Sequence, residues 1–298
     1  MAVKLSIVTP TYNRKDLLEQ CMMSLVKQTC YDFEWIVIDD GSNDGTREFM
    51  EQYDFTIFPF KVFYQWKENG GKHTALNASH SFIHGQYVLI LDNDDMLTDD
   101  AVETVLREWN LYNDDTSIGI VTFLKQLTDG TLCCYAEKER KKLDVLNHRR
   151  IINVASDCCE VIRSELFLKF PFPIFDDERF LAETALWYRV GQKHFCLYVN
   201  RPIYICEYLD GGLTKGGKKL RIINSHGGMY TSYLRLNKRC SMRERIKAGL
   251  LFVCYGRFAG LSVGEIYKQA ELYKGFVIWC MIPGMLMHRY WDYKYMRN

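Results

Sequence analysis

No run of about 18 consecutive apolar residues occurs in the chain, which excludes an ordinary membrane-spanning helix. No internal repeat is present, which removes solenoids and propellers. Met1 leads almost at once into a strand-like run, so no signal peptide is expected. Cysteines at zinc-ligand spacing are missing as well. The eleven are odd in number, and Cys133-Cys134 and Cys158-Cys159 are adjacent pairs. Cys21, Cys196, Cys206 and Cys254 lie among apolar neighbours and read as small core residues. Such usage points to a reducing compartment, hence the cytoplasm. Net charge is almost absent, at +1, but the balance conceals a split. Residues 213–298 carry 16 Lys and Arg against 4 Asp and Glu, whereas the remainder carries 22 against 33. A tail with that basic surplus suits an anionic partner.

What is present is an ordinary globular composition, 48% hydrophobic and 25% charged, over 298 residues. That length allows one large domain with an appendage, or two domains. Leu5–Thr9 reads as a strand ending in the breaker-rich turn Pro10-Thr11-Tyr12-Asn13-Arg14. Leu17, Leu18, Cys21, Met22, Leu25 and Val26 then mark one face of a helix. Phe33–Ile38 is a second strand and runs into Asp39-Asp40-Gly41-Ser42. After a short helix come a strand at Lys61–Trp66, the loop Glu68–His73, and a helix expected over Thr74–His84. A helix at Asp99–Tyr112 and a strand at Ile118–Leu124 lie further on. This alternation predicts a mostly parallel sheet with right-handed crossovers, an α/β fold.

Residues 125–150 are polar without a clear period and read as a mobile loop. Phe175–Val190 reads as a helical stretch holding Glu178 and Glu183, and Phe195–Tyr208 as two edge strands joined at Asn200-Arg201-Pro202. Asp210-Gly211-Gly212 and Gly216-Gly217 mark a hinge, and everything beyond looks helical.

The stretch Tyr87–Asp95 organises the rest. Five apolar residues read as a strand buried on both faces, and Asp92, Asp94 and Asp95 arrive at its C-terminal end. Unpaired carboxylates cannot be buried cheaply, so they belong at the sheet's edge. Ligands of open α/β sheets bind in that crevice. Asp92 and Asp94 share one side of an extended chain and can hold one hard divalent cation between them. An acidic turn capping the helix near Thr98 is the other reading. Asn69-Gly70-Gly71-Lys72 offers backbone N–H groups plus a cation, which suits a phosphate, or else forms a solvated turn. No Gly-Lys-Ser/Thr follows, so it is not a P-loop, and His73 reads as a surface histidine.

Four pieces now stand in order: Thr9–Arg14, Asp39-Asp40-Gly41-Ser42, Asn69–Lys72 and Leu91–Asp95. Together they resemble the family 2 glycosyltransferases, whose nucleotide-sugar-binding fold is GT-A. Further on, Glu178–Glu183 with Trp187 and Arg189, then Glu207-Tyr208-Leu209 and Gly212-Leu213-Thr214, resemble bacterial enzymes that assemble surface polysaccharides. The likeness covers residues 3 to about 225 and is thin beyond.

The resemblance implies an inverting, metal-dependent hexosyl-type transfer from a nucleotide sugar, a UDP-sugar first, to a hydroxyl of a growing glycan or lipid-linked acceptor. It implies that Asp40 accepts from the base, the other reading being a turn cap before Gly41, that Tyr12 stacks on the base with Pro10 on the same turn, and that Arg14, Asn69 and Lys72 serve the nucleotide. Asp94 is expected as the first ligand of Mg²⁺ or Mn²⁺. Asp92 holds the ribose or supports the metal, and Asp95 faces the acceptor or caps the next helix. Glu183 matches the family's general base, with Asp176, Asp177 and Glu178 competing. His226 is a further candidate at the metal. No nucleic-acid partner is expected. A sugar nucleotidyltransferase and a non-catalytic nucleotide-sugar-binding protein are the rival readings. Intact Asp40, Asp92, Asp94 and Glu183 argue against the second.

The expected division is 1–215 for the catalytic domain and 216–298 for a helical extension. Within the extension, Phe276–Met287 is apolar nearly all round but too short to span a bilayer. It is expected either to lie at the inner face of an anionic membrane or to cap the catalytic domain.

Overall fold

The computed structural model describes residues 3–136, 139–147, 158–206 and 217–297. Contacts divide the chain into two compact units. One comprises Met1–Pro171 with Val190–Glu207, the other Phe172–Arg189 with Tyr208–Asn298. The boundary expected at 215/216, the hinge glycines 211, 212 and 216, and the stretches 207–209 and 212–214 lie outside the described residues.

The first unit is a mixed sheet. Its elements are β1 (Leu5–Thr11), α1 (Lys15–Val26), β2 (Phe33–Asp39), α2 (Thr46–Gln52), β3 (Lys61–Trp66), α3 (Lys72–Ala78), β4 (Tyr87–Ile90), β5 (Met96–Leu97), α4 (Ala101–Asn110), β6 (Ile118–Leu127), β7 (Leu143–Asp144), β8 (Cys159–Arg163) and α5 (Ser164–Lys169). The last strand is β9 (Phe195–Cys206), and the short helix before it, α6 (Thr184–Val190), belongs to the second unit except for Val190. Strand order is β3-β2-β1-β4-β8-β6-β9-β5, with β7 also on β9. The first four run parallel, and β8 enters antiparallel between β4 and β6. Every residue of β1, β2 and β4 is buried, as a sheet covered on both faces requires. The cover is amphipathic: Leu18, Cys21, Met22 and Leu25 of α1 face inward, as do Val102, Val105, Leu106 and Trp109 of α4.

Several expectations change. The helix expected at Thr74–His84 ends at Ala78 and gives way to a 3₁₀ turn over Ser79–Phe82. Phe195–Cys206 is one interior strand rather than two edge strands, because β6 and β5 flank it. Of the stretch Phe175–Val190, only Thr184–Val190 is helical. The loop expected over 125–150 is partly structured, since β6 continues to Leu127 and Leu143-Asp144 pairs with β9. Residues 137, 138 and 148–157 lie outside the described residues.

The second unit is helical. It contains α7 (Gly217–Ile223), α8 (Ser225–Leu234), α9 (Met242–Phe258), α10 (Val263–Gln269) and α11 (Lys274–Trp291). Ser241 and Ser262 cap α9 and α10, the latter through a reciprocal bond set with Glu265. Leu236, Phe252, Val253, Cys254, Ile266, Val277 and Cys280 form its core. Among the described residues no single helix is long and apolar enough to cross a membrane. The pair Val263–Gln269 and Glu271–Met296 has the length and composition but bends by 105°.

Candidate active site

Parallel pairing brings the sequence motifs together. Thr11 at the end of β1 faces Asp39 at the end of β2, and Val8 faces Ile90 of β4. The loops beyond these strands are laced to one another. The Asn13 amide donates to Ser42 Oγ at 2.9 Å, and the Asn43 amide donates to Asn13 Oδ1 at 2.8 Å. Asn93 Nδ2 donates to Thr11 Oγ1 at 2.9 Å.

Asp39 and Asp40 divide two tasks. Asp39, fully buried, accepts from the Ser42 amide at 2.8 Å and from the Tyr64 hydroxyl at 2.9 Å, so it is the residue that caps the turn. Asp40 organises the glycine loop. Its Oδ1 accepts from Lys67 Nζ at 2.6 Å and the Gly70 amide at 3.0 Å. Its Oδ2 accepts from the Gly71 amide at 2.7 Å and Asn69 Nδ2 at 3.1 Å. Glycine is required where these loops meet. Gly41 has φ +86°, and a Cβ there would lie 2.8 Å from the Asn69 amide nitrogen. Lys67 has no counterpart among the residues singled out from sequence. Only its return across the sheet from β3 reveals it.

The acids after β4 are not extended. A turn closed by Asp95 N–H to Asp92 C=O at 3.1 Å gathers Asp92, Asp94 and Asp95, with one carboxylate oxygen of each within 4.8 Å of the others. The turn is pinned by β5, which pairs Leu97 with Tyr204 of β9. The Tyr204 hydroxyl accepts from the Asp92 amide at 3.0 Å and bonds the Asp95 side chain. Asp95 therefore belongs to the acid cluster rather than to the next helix. That helix begins at Ala101, and its N-cap Asp100 makes no side-chain capping bond.

Cations answer the acids. Lys72 pairs with Asp92, and Arg14 Nη1 lies 3.4 Å from Asp94 Oδ2. Burial pushes the Asp92 carboxyl up, but Lys72 and Lys125 outweigh it and hold the group below the usual range. Burial, then the charge of Asp92, pushes Asp94 up. Burial pushes Asp95 up to about 7 against the pull of Lys125. Lys125 sits in β6, 4.0 Å over the Tyr204 ring, and was not singled out from sequence. Three oxygen-donor side chains on one turn, two of them partly exposed, fit a hard divalent cation. Tyr12 is about half exposed and Pro10 is buried in β1. His73 is buried, not a surface histidine.

The remaining candidates belong to the second unit. Glu183 stands just before α6, where its carbonyl accepts from Leu186 and Trp187. Glu178 is buried and has a structural task. Its carboxylate accepts from the His226 and Gly227 amides at 2.6 and 2.8 Å, capping α8, and lies 3.0 Å from His226 Nδ1.

A mixed sheet carrying an acidic turn and a glycine loop at the ends of its parallel strands defines a GT-A nucleotide-sugar-binding fold. The profile described as Glycosyl transferase family 2 matches residues 6–168, and the chain belongs to that family. Glycosyltransferase GlyA of Streptococcus pneumoniae is 31% identical over 296 residues, covering 90% of this chain and 40% of that protein. Putative teichuronic acid biosynthesis glycosyltransferase TuaG of Bacillus subtilis is 36% identical over 102 residues, 34% of this chain and 40% of that one. Each match thus spans about two fifths of the relative's length. Among solved structures, S. aureus TarS 1-349 in complex with UDP superposes with a TM-score of 0.62 at 16% identity, covering 99% of this chain and 91% of that one. Mannosyltransferase PcManGT from Pyrobaculum calidifontis, in complex with GDP-Man and Mn2+, gives 0.58 at 15% identity, covering 98% and 87%.

Proposed function

We propose that the protein transfers one sugar, with inversion, from a UDP-sugar to a hydroxyl of a growing glycan or lipid-linked acceptor in surface-polysaccharide synthesis. The observation that carries this reading is the turn Asp92–Asp95 beside Lys72, Arg14 and the loop ordered by Asp40. Asp94 and Asp92, with Asp95 beside them, would hold Mg²⁺ or Mn²⁺, which supplies charge neutralisation at the diphosphate leaving group. Lys72 and Arg14 are the residues to exchange their carboxylate partners for phosphate oxygens. Pro10, Tyr12 and Asn69 line the nucleotide side. Asp40 reads the base only by giving up one of its present donors or by using a remaining lone pair. Glu183 is the general base, and His226 receives a different role below.

The bound structures of the neighbours support a nucleotide-sugar donor, and the names of the relatives support polysaccharide synthesis. Release of UDP from UDP-sugars with Mn²⁺ or Mg²⁺ tests the reading. Pyrophosphate release would identify a nucleotidyltransferase instead, and no turnover would leave a binding protein.

The same reading places α11 on an anionic bilayer at the cytoplasmic face. This helix is apolar on two sides. Val277, Cys280, Met281 and Gly284 pack inward, while Ile278, Trp279, Ile282, Leu286 and Tyr290 form a second stripe that faces out. Trp279 is 84% exposed and Ile282 68%. Phe276, expected at the lipid, instead packs with the unit's core under Arg245. Arg289, Lys294 and Arg297 are exposed at the end of the stripe, the charge that anionic headgroups complement.

A further inference from the structure

The helical unit contains a cavity of about 230 Å³ lined by Phe175, His226, Met229, Tyr230, Tyr233, Phe252, Gln269 and Glu271. It is smaller than the ~300 Å³ at which sites for drug-sized ligands begin, so it holds one ring rather than a chain of them. Its walls are of two kinds. Phe175, Tyr233 and Phe252 supply aromatic surface, with Phe175 stacked on the His226 imidazole at 5.9 Å between centroids. Two of the polar groups, His226 and Glu271, are anchored by hydrogen bonds. Glu178, buried behind the wall, fixes His226 through Nδ1 and leaves Nε2 without a partner among the described residues. The Tyr230 hydroxyl and the Gln269 amide also have no partner there. Glu271 accepts from the Tyr233 hydroxyl at 2.8 Å and keeps further acceptor capacity. Its backbone has φ +42°, a strained value for a non-glycine residue, and both Gln269 and Glu271 line the cavity.

We infer that this cavity is a subsite for a single neutral sugar ring. A sugar presents C–H faces to aromatic rings and hydroxyls to a carboxylate, an amide, an imidazole and a phenol, which matches both kinds of wall. An anion would meet the Glu271 carboxylate. An apolar ligand would strand His226 Nε2, the Tyr230 hydroxyl and the Gln269 amide, and each stranded group costs free energy. A quaternary ammonium would use the aromatic faces and Glu271 but none of those three groups. The ring is assigned to the acceptor glycan, and that assignment rests on the glycosyltransferase reading.

Saturation-transfer NMR on the full chain tests this. The probes are methyl glycosides of glucose, galactose and N-acetylglucosamine, with choline as the cationic control. At least one glycoside is expected to bind at millimolar concentration. Tyr230→Phe and Gln269→Ala should each weaken it roughly two- to tenfold, the loss expected for one hydrogen bond, with circular dichroism unchanged. Absence of binding by every glycoside at tens of millimolar overturns the proposal. So does binding of choline alone, or glycoside binding indifferent to both variants. UDP release from UDP-sugars, measured on the same samples, separates the two readings. Turnover without glycoside binding removes the subsite and keeps the transferase. Glycoside binding without turnover keeps the sugar site and removes its assignment to an acceptor.

Discussion

Lys67 Nζ lies 2.6 Å from Oδ1 of Asp40, and both side chains are largely withdrawn from solvent. The carboxylate also accepts the Gly70 and Gly71 amides, so one acid holds the whole loop that opens α3. Removing one partner of a buried pair leaves an uncompensated charge, at a cost of roughly 3–5 kcal/mol. Asp40→Ala and Lys67→Met should therefore each lower the urea midpoint markedly, and Asp40→Ala should also abolish UDP binding. An Asp40→Ala protein with an unchanged midpoint would show that the pair is incidental.

Asp94→Ala should remove Mn²⁺-dependent stabilisation by UDP while the fold stays intact, because the acid stands on a turn beyond β4 rather than in the core. Thermal unfolding with UDP, with and without Mn²⁺ and chelator, measures this. UDP binding unchanged by the mutation, or by chelator, would reject Asp94 as the metal ligand.

Glu183→Gln keeps the shape and removes the proposed proton acceptor. A loss of ~10²–10⁴-fold in transfer is expected, with donor affinity nearly unchanged. Glu178→Gln should behave differently, because Glu178 caps α8 and orients His226. Its main effect should be on stability. If Glu178→Gln folds well but is dead while Glu183→Gln is active, the base has been assigned to the wrong carboxylate.

Asp95 gives the metal-free protein a pH dependence. Its carboxyl is raised from 3.8 to about 7, so between those values the folded state holds a proton that the unfolded chain has released. The associated stability is complete below pH 3.8 and is lost as pH rises through 7. Over the full interval the difference is on the order of 4 kcal/mol, at about 1.4 kcal/mol per unit. Asp95→Asn should raise the unfolding temperature of metal-free protein at pH 8 and flatten its pH profile. Since protons compete with the cation for the same oxygens, apparent Mn²⁺ affinity should fall below pH 7. A metal-free profile identical in wild type and variant would contradict the assignment.

The outward stripe of α11 should carry the protein onto anionic vesicles. Attraction is roughly 1 kcal/mol per basic residue near the surface and weakens as salt shortens its reach. Trp279→Glu with Ile282→Glu should abolish cosedimentation at low salt without unfolding the unit, since both side chains point to solvent. Equal recovery in the supernatant with neutral and anionic lipid would reject the membrane as the occupant of this face.

The parallel half of the sheet was legible in the local pattern, as were the acid and glycine motifs that stand at its strand ends. Apolar runs ending in Asp39-Asp40 and in Asp92–Asp95 read as strands buried on both faces, and their acids stand at the C-terminal ends, where Asp39 and Asp40 are buried with hydrogen-bond partners. Glycines 70 and 71 marked a loop, but its close approach to Gly41 came only with the structure. Tertiary structure decided what no local pattern carries. Asp95 joined the acids because a turn, pinned by two residues of β5 on β9, replaced the extended chain that a period of two suggested. Lys67 and Lys125 entered the site because β3 and β6 end beside it, and strand order is settled by packing between distant segments rather than by propensity. Glu178 and Glu183 stand five residues apart and looked like rivals for one role. They separated only when α8 folded back to place its unsatisfied amides on Glu178, a long-range hydrogen-bond demand that periodicity cannot express.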